Sequence, residues 1–368
     1  MLKLRRGTVV EAGEGLVVEV DGDLRPAWAD EFMVGPCNVG DDVVVNVEAL
    51  DLALGSGGFD VVHVNLTQGL AGKTPEGPHV MKLNYTSLQH AVAPVEEGGG
   101  DRGAALVEEG VARSEAALVK EGVARRARTS SEEWVARRPA APSVAGVFFL
   151  HGQLAPVCWA LAQRAPGARV GFVQTAGGAL PGSLSDVVRE LRERGLLVGH
   201  LTAGAAHGGE AEAITTAGAL DHGLGEAKWD VALCGPGPGI LGSGSWLGHG
   251  GMSALDSAHV ALALGYRTVV VPRMSRADLR ERHREVSHHA RTVLELLLVP
   301  AVLALPEHER PPREAERHEL RYAAVDLDGY RASGLPARTM GRSLEEDPLF
   351  FASALAGGAV LAEMIRRA

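Results

Sequence analysis

The stretch W-D-V-A-L-C-G-P-G-P-G-I-L-G-S-G-S, residues 229–245, holds the densest run of residue types that could do chemistry. Val231, Ala232 and Leu233 read as a short buried strand, and Gly235, Gly237, Gly239, Gly242 and Gly244 follow it. Glycine accepts positive φ and lets another molecule approach the main chain. A glycine-rich loop after a parallel strand can hold an anion on free N–H groups and on the N-terminus of the next helix. Gly237, Gly239 and Gly242 also reproduce the G-x-G-x-x-G dinucleotide spacing. Pro236 and Pro238 withhold two donors that a pyrophosphate would use, and the next helix is expected only near Ser253, so a standard dinucleotide turn fits poorly. Three readings stand: an anion loop with hydroxyls from Ser243 and Ser245, a dinucleotide turn, and glycines that serve the backbone alone.

In open parallel sheets, ligands lie beyond the carboxyl ends of the strands. Just past successive expected strands come His151-Gly152-Gln153, then Thr175 with Gly177 and Gly178, then residues 202–210 with His207. The glycine loop with His249 follows, and after it Arg273, Ser275 and Asp278. The competing reading is that such loops carry glycine and small polar residues in any case. Within this set Arg273 supplies charge, and His151 and His283 are the candidates for general acid or base. His283 is placed by reading residues 277–296 as a helix, on which Leu279, His283, Val286, Ala290, Val293 and Leu297 share one face. A core histidine bonded to a carbonyl would occupy the same position.

His288 and His289 lie further along that helix, and Glu285-x-x-His288 matches the carboxylate–imidazole pair of di-iron helices, with no second copy. H-E-x-x-H is absent as well, so no metal site is expected, and no cofactor is named. G-x-S-x-G is missing, as is the Lys-Ser/Thr ending of a P-loop. Cys158, beside Trp159, reads as packing.

The elements that must position these residues divide the chain. Residues 1–94 alternate short Val-rich runs with turn signals such as Asp21-Gly22, which predicts a small closed β-barrel of the SH3 or OB kind. Residues 1–96 hold 6 Lys/Arg and 14 Asp/Glu, and the whole chain of 368 residues has a formal charge of −10, which argues against gripping nucleic acid. Residues 95–143 form an expected flexible insertion and linker helix, in which L-V-E-E-G-V-A-R recurs as L-V-K-E-G-V-A-R.

Residues 144–342 alternate apolar strands with helices. Strands are expected at 144–150, 169–174, 196–201, 230–234, 268–271, 299–305 and 320–325, and helices at 155–164, 183–194, 210–220, 253–264 and 277–296. That pattern predicts a Rossmann-like, doubly wound, mainly parallel sheet. Residues 343–368 hold an apolar docking helix opening at Asp347-Pro348. Three dispersed cysteines and the absence of a signal-peptide pattern suggest a reduced, cytoplasmic setting.

The segments F-F-L-H-G-Q-L-A-P-V, T-A-G-G-A-L-P, G-P-G-P-G-I-L-G-S-G-S and R-H-R-E-V-S-H-H together resemble an uncharacterised bacterial protein family, known only as a domain of unknown function. The similarity runs through the barrel and the α/β region and leaves out the tandem repeat. It implies a cytoplasmic bacterial protein and assigns no role to any residue. The resulting expectation is an enzyme binding a phosphorylated or nucleotide-like small molecule. The alternative is a non-catalytic metabolite-binding or assembly protein whose acidic barrel contacts a protein partner. Neither nucleic acid nor membrane is expected as a partner, and a homo-oligomer is compatible with the sequence.

Overall fold

A computed structural model describes residues 1–13, 15–52, 58–69, 77–97 and 143–366. Two compact units, Met1–Ala93 and Pro94–Ala368, divide it. The tandem repeat and the expected linker helix lie outside the described residues.

The first unit is built on a closed five-stranded barrel of β1 (Leu4–Glu11), β2 (Leu16–Val20), β3 (Asp23–Trp28), β4 (Asp42–Asn46) and β5 (Asp60–Asn65), in the order β1-β2-β3-β5-β4. Antiparallel pairing of β4 with β1 closes it. Asp21 and Gly22 both have positive φ, 53° and 89°, the conformation a two-residue turn needs to follow the strand twist. Alternate residues point inward, so Val18, Val20, Val43, Val45 and Val62 form the core with Val9. Asn65 is fully buried and fully used: its amide donates to Asp41 and the Pro36 carbonyl, and its oxygen accepts from Thr67 and Gln68. A short hairpin of β6 (Val80–Lys82) and β7 (His90–Val92) completes this unit.

The second unit is an eight-stranded sheet in which every pairing is parallel. Its strands are β8 (Val144–Phe148), β9 (Val170–Thr175), β10 (Gly199–Ala203), β11 (Ala211–Ala213), β12 (Val231–Pro236), β13 (Arg267–Val271), β16 (Val302–Pro306) and β17 (Glu319–Ala323). The order β11-β10-β9-β12-β8-β13-β16-β17 steps outward from β8 on one side and returns through β12 to the other. Both faces are covered, as a parallel sheet requires. Leu154–Arg164, Asp186–Glu193 and Pro348–Arg366 bury their apolar sides on one face, and Thr216–Asp221, Met252–Ala263 and His288–Leu296 on the other. The doubly wound expectation therefore stands.

Two expected helices differ. Within residues 210–220, Ala211–Ala213 adds an edge strand first, because the buried Glu212 carboxylate takes the Thr202 hydroxyl and the Gly208 N–H. The helix then starts at Thr216 with Thr215 as its cap. The segment 277–296 is helical only from His288.

Helix Pro348–Arg366 begins at the expected proline. By length and composition Pro348–Ile365 could cross a membrane, but 83% of it is buried in the fold, as in a core helix. It lies close against Leu154–Arg164: a Cβ on Gly358 would stand 2.2 Å from the Val157 carbonyl oxygen.

Candidate functional site

The glycine loop leaves β12 at Pro236, which pairs with Thr175 at the end of β9. Its glycines let two main chains touch. A Cβ on Gly237 would stand 2.3 Å from the Ala179 carbonyl oxygen, and one on Gly250 2.0 Å from that of Gly177. Ala179 N donates to the Pro238 carbonyl at 2.7 Å, and Leu241 N to the Gly177 carbonyl at 3.0 Å. At the exposed tip, the Ser243 hydroxyl donates to the Gly248 carbonyl at 2.8 Å and accepts from Ser245 N at 3.2 Å. Ser245 Oγ in turn accepts from Gly248 N at 3.0 Å. The first N–H groups of the following helix are also engaged, Met252 N with the His249 carbonyl and Ser253 N with that of Gly250. Much of the donor set an anion would use thus holds the loop together.

His249 closes this loop, and its ring meets a second group of imidazoles. Ser287 caps helix His288–Leu296 and so fixes His288 and His289 in the first turn, while His283 sits in the 3-10 turn Glu281–His283. The ring centroid of His249 is 4.1 Å from that of His289 and 5.2 Å from that of His288. His283 is 4.8 Å and 5.0 Å from His288 and His289. His249, His288 and His289 can each present one ring nitrogen such that all three lie within 4.8 Å of one another.

Hydrogen bonding makes these nitrogens informative. His249 Nε2 faces the Trp246 carbonyl at 3.1 Å, and a carbonyl only accepts, so Nε2 carries the proton and Nδ1 the lone pair. That Nδ1 is buried with no partner, and so are both ring nitrogens of His289. His288 has only a backbone contact with Arg282, outside ordinary hydrogen-bond geometry. His283 Nδ1 is engaged by the Ser287 hydroxyl at 2.8 Å.

Burial is the main cause that lowers each pKa. His283 falls to about 3, with Arg273 and Arg280 adding to the effect, His288 to about 4 and His289 to about 2, each helped by His249 or its neighbours. His249 moves in the same direction. The cluster is therefore a set of neutral electron-pair donors. An unsatisfied buried polar group costs about 1–3 kcal/mol, so several together call for an occupant.

Arg273 and Ser275 build the frame beneath. Arg273, only 2% exposed, donates to Asp278 at 2.8 Å, and burial lowers its pKa to about 10, so it keeps its charge. Asp278 also accepts from Arg280 at 2.9 Å and lies 3.5 Å from Arg342. Against the upward push of burial, the Arg280 hydrogen bonds and the charges of Arg273 and Arg280 hold its carboxyl well below the usual range. The Ser275 hydroxyl donates to Asp347 at 2.7 Å and accepts from Asp278 N at 3.0 Å.

These bonds explain why the helix expected over 277–296 does not begin until His288. Asp278 gathers side chains from both flanks, and β14 (Met274–Ser275) pairs with β15 (Glu285–Val286), where Glu285 has φ 51°. Leu279, assigned to the buried helix face, is 91% exposed. Glu285 pairs with Arg276 rather than joining His288.

His151 stands apart from the cluster. Its Nδ1 donates to the Pro236 carbonyl at 3.1 Å, and Nε2 lies 2.6 Å from the Ser185 hydroxyl. Ser185 Oγ accepts from Val188 N as a helix cap, which leaves its proton for His151. Both ring nitrogens are satisfied, and burial lowers the pKa to about 4. Thr175 turns its hydroxyl to the neighbouring Ala176 carbonyl, and burial drives the Cys158 thiol far up and out of reactive range. Sequence reading missed the three-histidine convergence because His249 is remote in sequence from His288 and His289. The adjacent histidines just after a serine cap were the available signal.

A family model described as a protein of unknown function, DUF3866, matches residues 27–109 and 140–358. The chain belongs to that family. A search among curated proteins gave no match.

Proposed function

We propose that the protein is an enzyme acting on an anionic small molecule, of the phosphorylated or nucleotide-like class, at the carboxyl ends of β12 and β13. The observation that carries this reading is the convergence of His249 with His283, His288 and His289, from two separate connections, beside β8 where the winding reverses. That is the position where open sheets hold their ligands. Neutral imidazoles supply lone pairs and donors there but no charge. Charge for the substrate comes from the rim, where the exposed Arg282 guanidinium lies near Gly244. Arg273 and Ser275 act as positioning residues.

The test pairs binding with turnover. Nucleotides, sugar phosphates and inorganic phosphate are screened by thermal shift, and aryl phosphate, phosphodiester and carboxyl ester substrates by hydrolysis. A ligand at 100 times its Kd adds about 2.7 kcal/mol, which raises Tm by several degrees. Turnover of one class that falls at least tenfold in Arg282→Gln, with folding intact, supports the reading. No shift with any anion and no turnover of any class refutes it. The second reading, a non-catalytic ligand-binding or assembly protein, draws support from the loop's own use of its N–H groups. A ligand that binds without being converted would favour it.

A further inference from the structure

We propose that His249, His288 and His289 form a binding site for a divalent first-row transition ion of the zinc class, with His283 beside it as a non-ligand. The inference deepens the functional reading of the same site but stands on the imidazole geometry by itself. Three neutral rings gather ligand nitrogens within 4.8 Å of one another. Zinc–nitrogen bonds of about 2.0–2.1 Å in tetrahedral arrangement place ligand nitrogens roughly 3.3 Å apart, so modest side-chain rotation closes the set. Adjacent residues on one capped helical turn supply two rings, and the glycine loop, bridged between Gly242 and His249, supplies the third.

The support around the rings fits a metal as well. His249 carries its proton on Nε2, held by the Trp246 carbonyl, and that same carbonyl accepts from Thr292 Oγ1 at 3.3 Å. A backbone carbonyl that fixes tautomer and ring orientation is the usual outer partner of a metal-binding histidine. The lone pair then lies on Nδ1, which is buried and partnerless. Both nitrogens of His289 share that condition.

The donor set also selects the ion. It contains imidazole and no carboxylate, since Asp278 is bound to Arg273 and Arg280 and Glu285 to Arg276. Imidazoles suit zinc, cobalt, nickel and copper, whereas magnesium and calcium require oxygen ligands. Three protein ligands leave one position for water or a substrate oxygen, the composition of catalytic rather than structural zinc sites. His283, with Nδ1 held by Ser287, stands beside the site, its ring centre 4.8 Å from that of His288 and 5.0 Å from that of His289.

The full chain, stripped with a chelator and dialysed, is titrated with Zn2+ and with Co2+. The expected result is one ion per chain, a Zn2+-dependent rise in Tm, and visible Co2+ bands of tetrahedral intensity. His249→Gln and His289→Gln should each weaken Zn2+ binding by more than about a hundredfold, beyond what loss of a supporting residue costs. His283→Gln should keep the stoichiometry. X-ray absorption of the wild-type zinc protein, which needs no variant to fold, should show imidazole nitrogen and no sulfur. A sulfur signal, the absence of bound ion in the wild type, or unchanged affinity in both ligand variants overturns the proposal. Bound zinc with no response to any anion would sink the enzyme reading and leave the metal site standing. Anion turnover by a protein that binds no Zn2+ would do the reverse.

Discussion

Acidification should expose whether His151 is a core residue or an available acid–base group, because the two roles differ in where its proton is taken up. His151 and His200 flank the Phe172 ring, at centroid distances of 6.0 Å and 5.3 Å. Burial first, and for His200 the charges of His151 and Arg192 after it, lower the pKa values to about 4 and about 3. Both folded values lie below the unfolded value near 6.5, so each histidine's stabilising contribution is complete above that pH and is lost as pH falls toward the folded value.

Between about pH 6 and pH 5 the unfolded chain binds nearly one more proton per histidine than the folded chain, which costs a little over 1 kcal/mol for each. His151→Gln should therefore flatten the dependence of unfolding free energy on pH by about 1.1 kcal/mol per unit in that window, whatever it does to stability at neutral pH. Urea melts of wild type and variant at closely spaced pH values measure that slope directly. Equal slopes would show that folded His151 takes up a proton with an ordinary pKa. It would then be accessible enough to serve as the acid or base that its position after β8 suggests.

Other perturbations follow from the same geometry. Asp278→Asn should destabilise by about 3–5 kcal/mol in urea melts, because it strands the buried Arg273 guanidinium. Arg273→Met should cost clearly less, since Arg280 and Arg342 still face Asp278; the opposite ranking would refute this account of the frame. Gly358→Ala should lower stability by about 1–3 kcal/mol through the Val157 carbonyl, outweighing the roughly 1 kcal/mol that alanine gains in helix propensity. A stabilised variant would mean the two helices can separate freely. Ser243→Ala and Ser245→Ala should speed amide exchange at the loop tip and cost about 0.5–1.5 kcal/mol each, with Zn2+ affinity unchanged. An altered affinity would place these hydroxyls in the site.

Local periodicity carried the architecture. Alternating valines with Asp21-Gly22 define the barrel, and apolar runs spaced by amphipathic segments define the doubly wound sheet, because strand and helix periods are properties of neighbours in the chain. Asp347-Pro348 marked the start of the last helix for the same reason, whereas the helices expected from 183 and 210 begin only at Asp186 and Thr216, behind the caps Ser185 and Thr215. The carboxyl ends of the strands were also legible as the place for a site. Within it, the roles of individual residues were not.

The spacing of Leu279, His283 and Val286 satisfies a helix, but the chain there is bent by a buried carboxylate that draws in Arg273 and Arg280, and Arg342 from much later in sequence. Long-range charge pairing leaves no periodic trace. Glycines expected to cradle an anion allow loop 237–250 to rest on residues 177–179, a contact between segments far apart in sequence. His151 and His249 both follow strands, and only the fold separates them: one has both nitrogens satisfied, the other holds a buried lone pair against two more imidazoles. Residue type and position after a strand set where chemistry can occur. Which nitrogen is left without a partner is decided by packing, because hydrogen bonds are filled in space rather than along the chain.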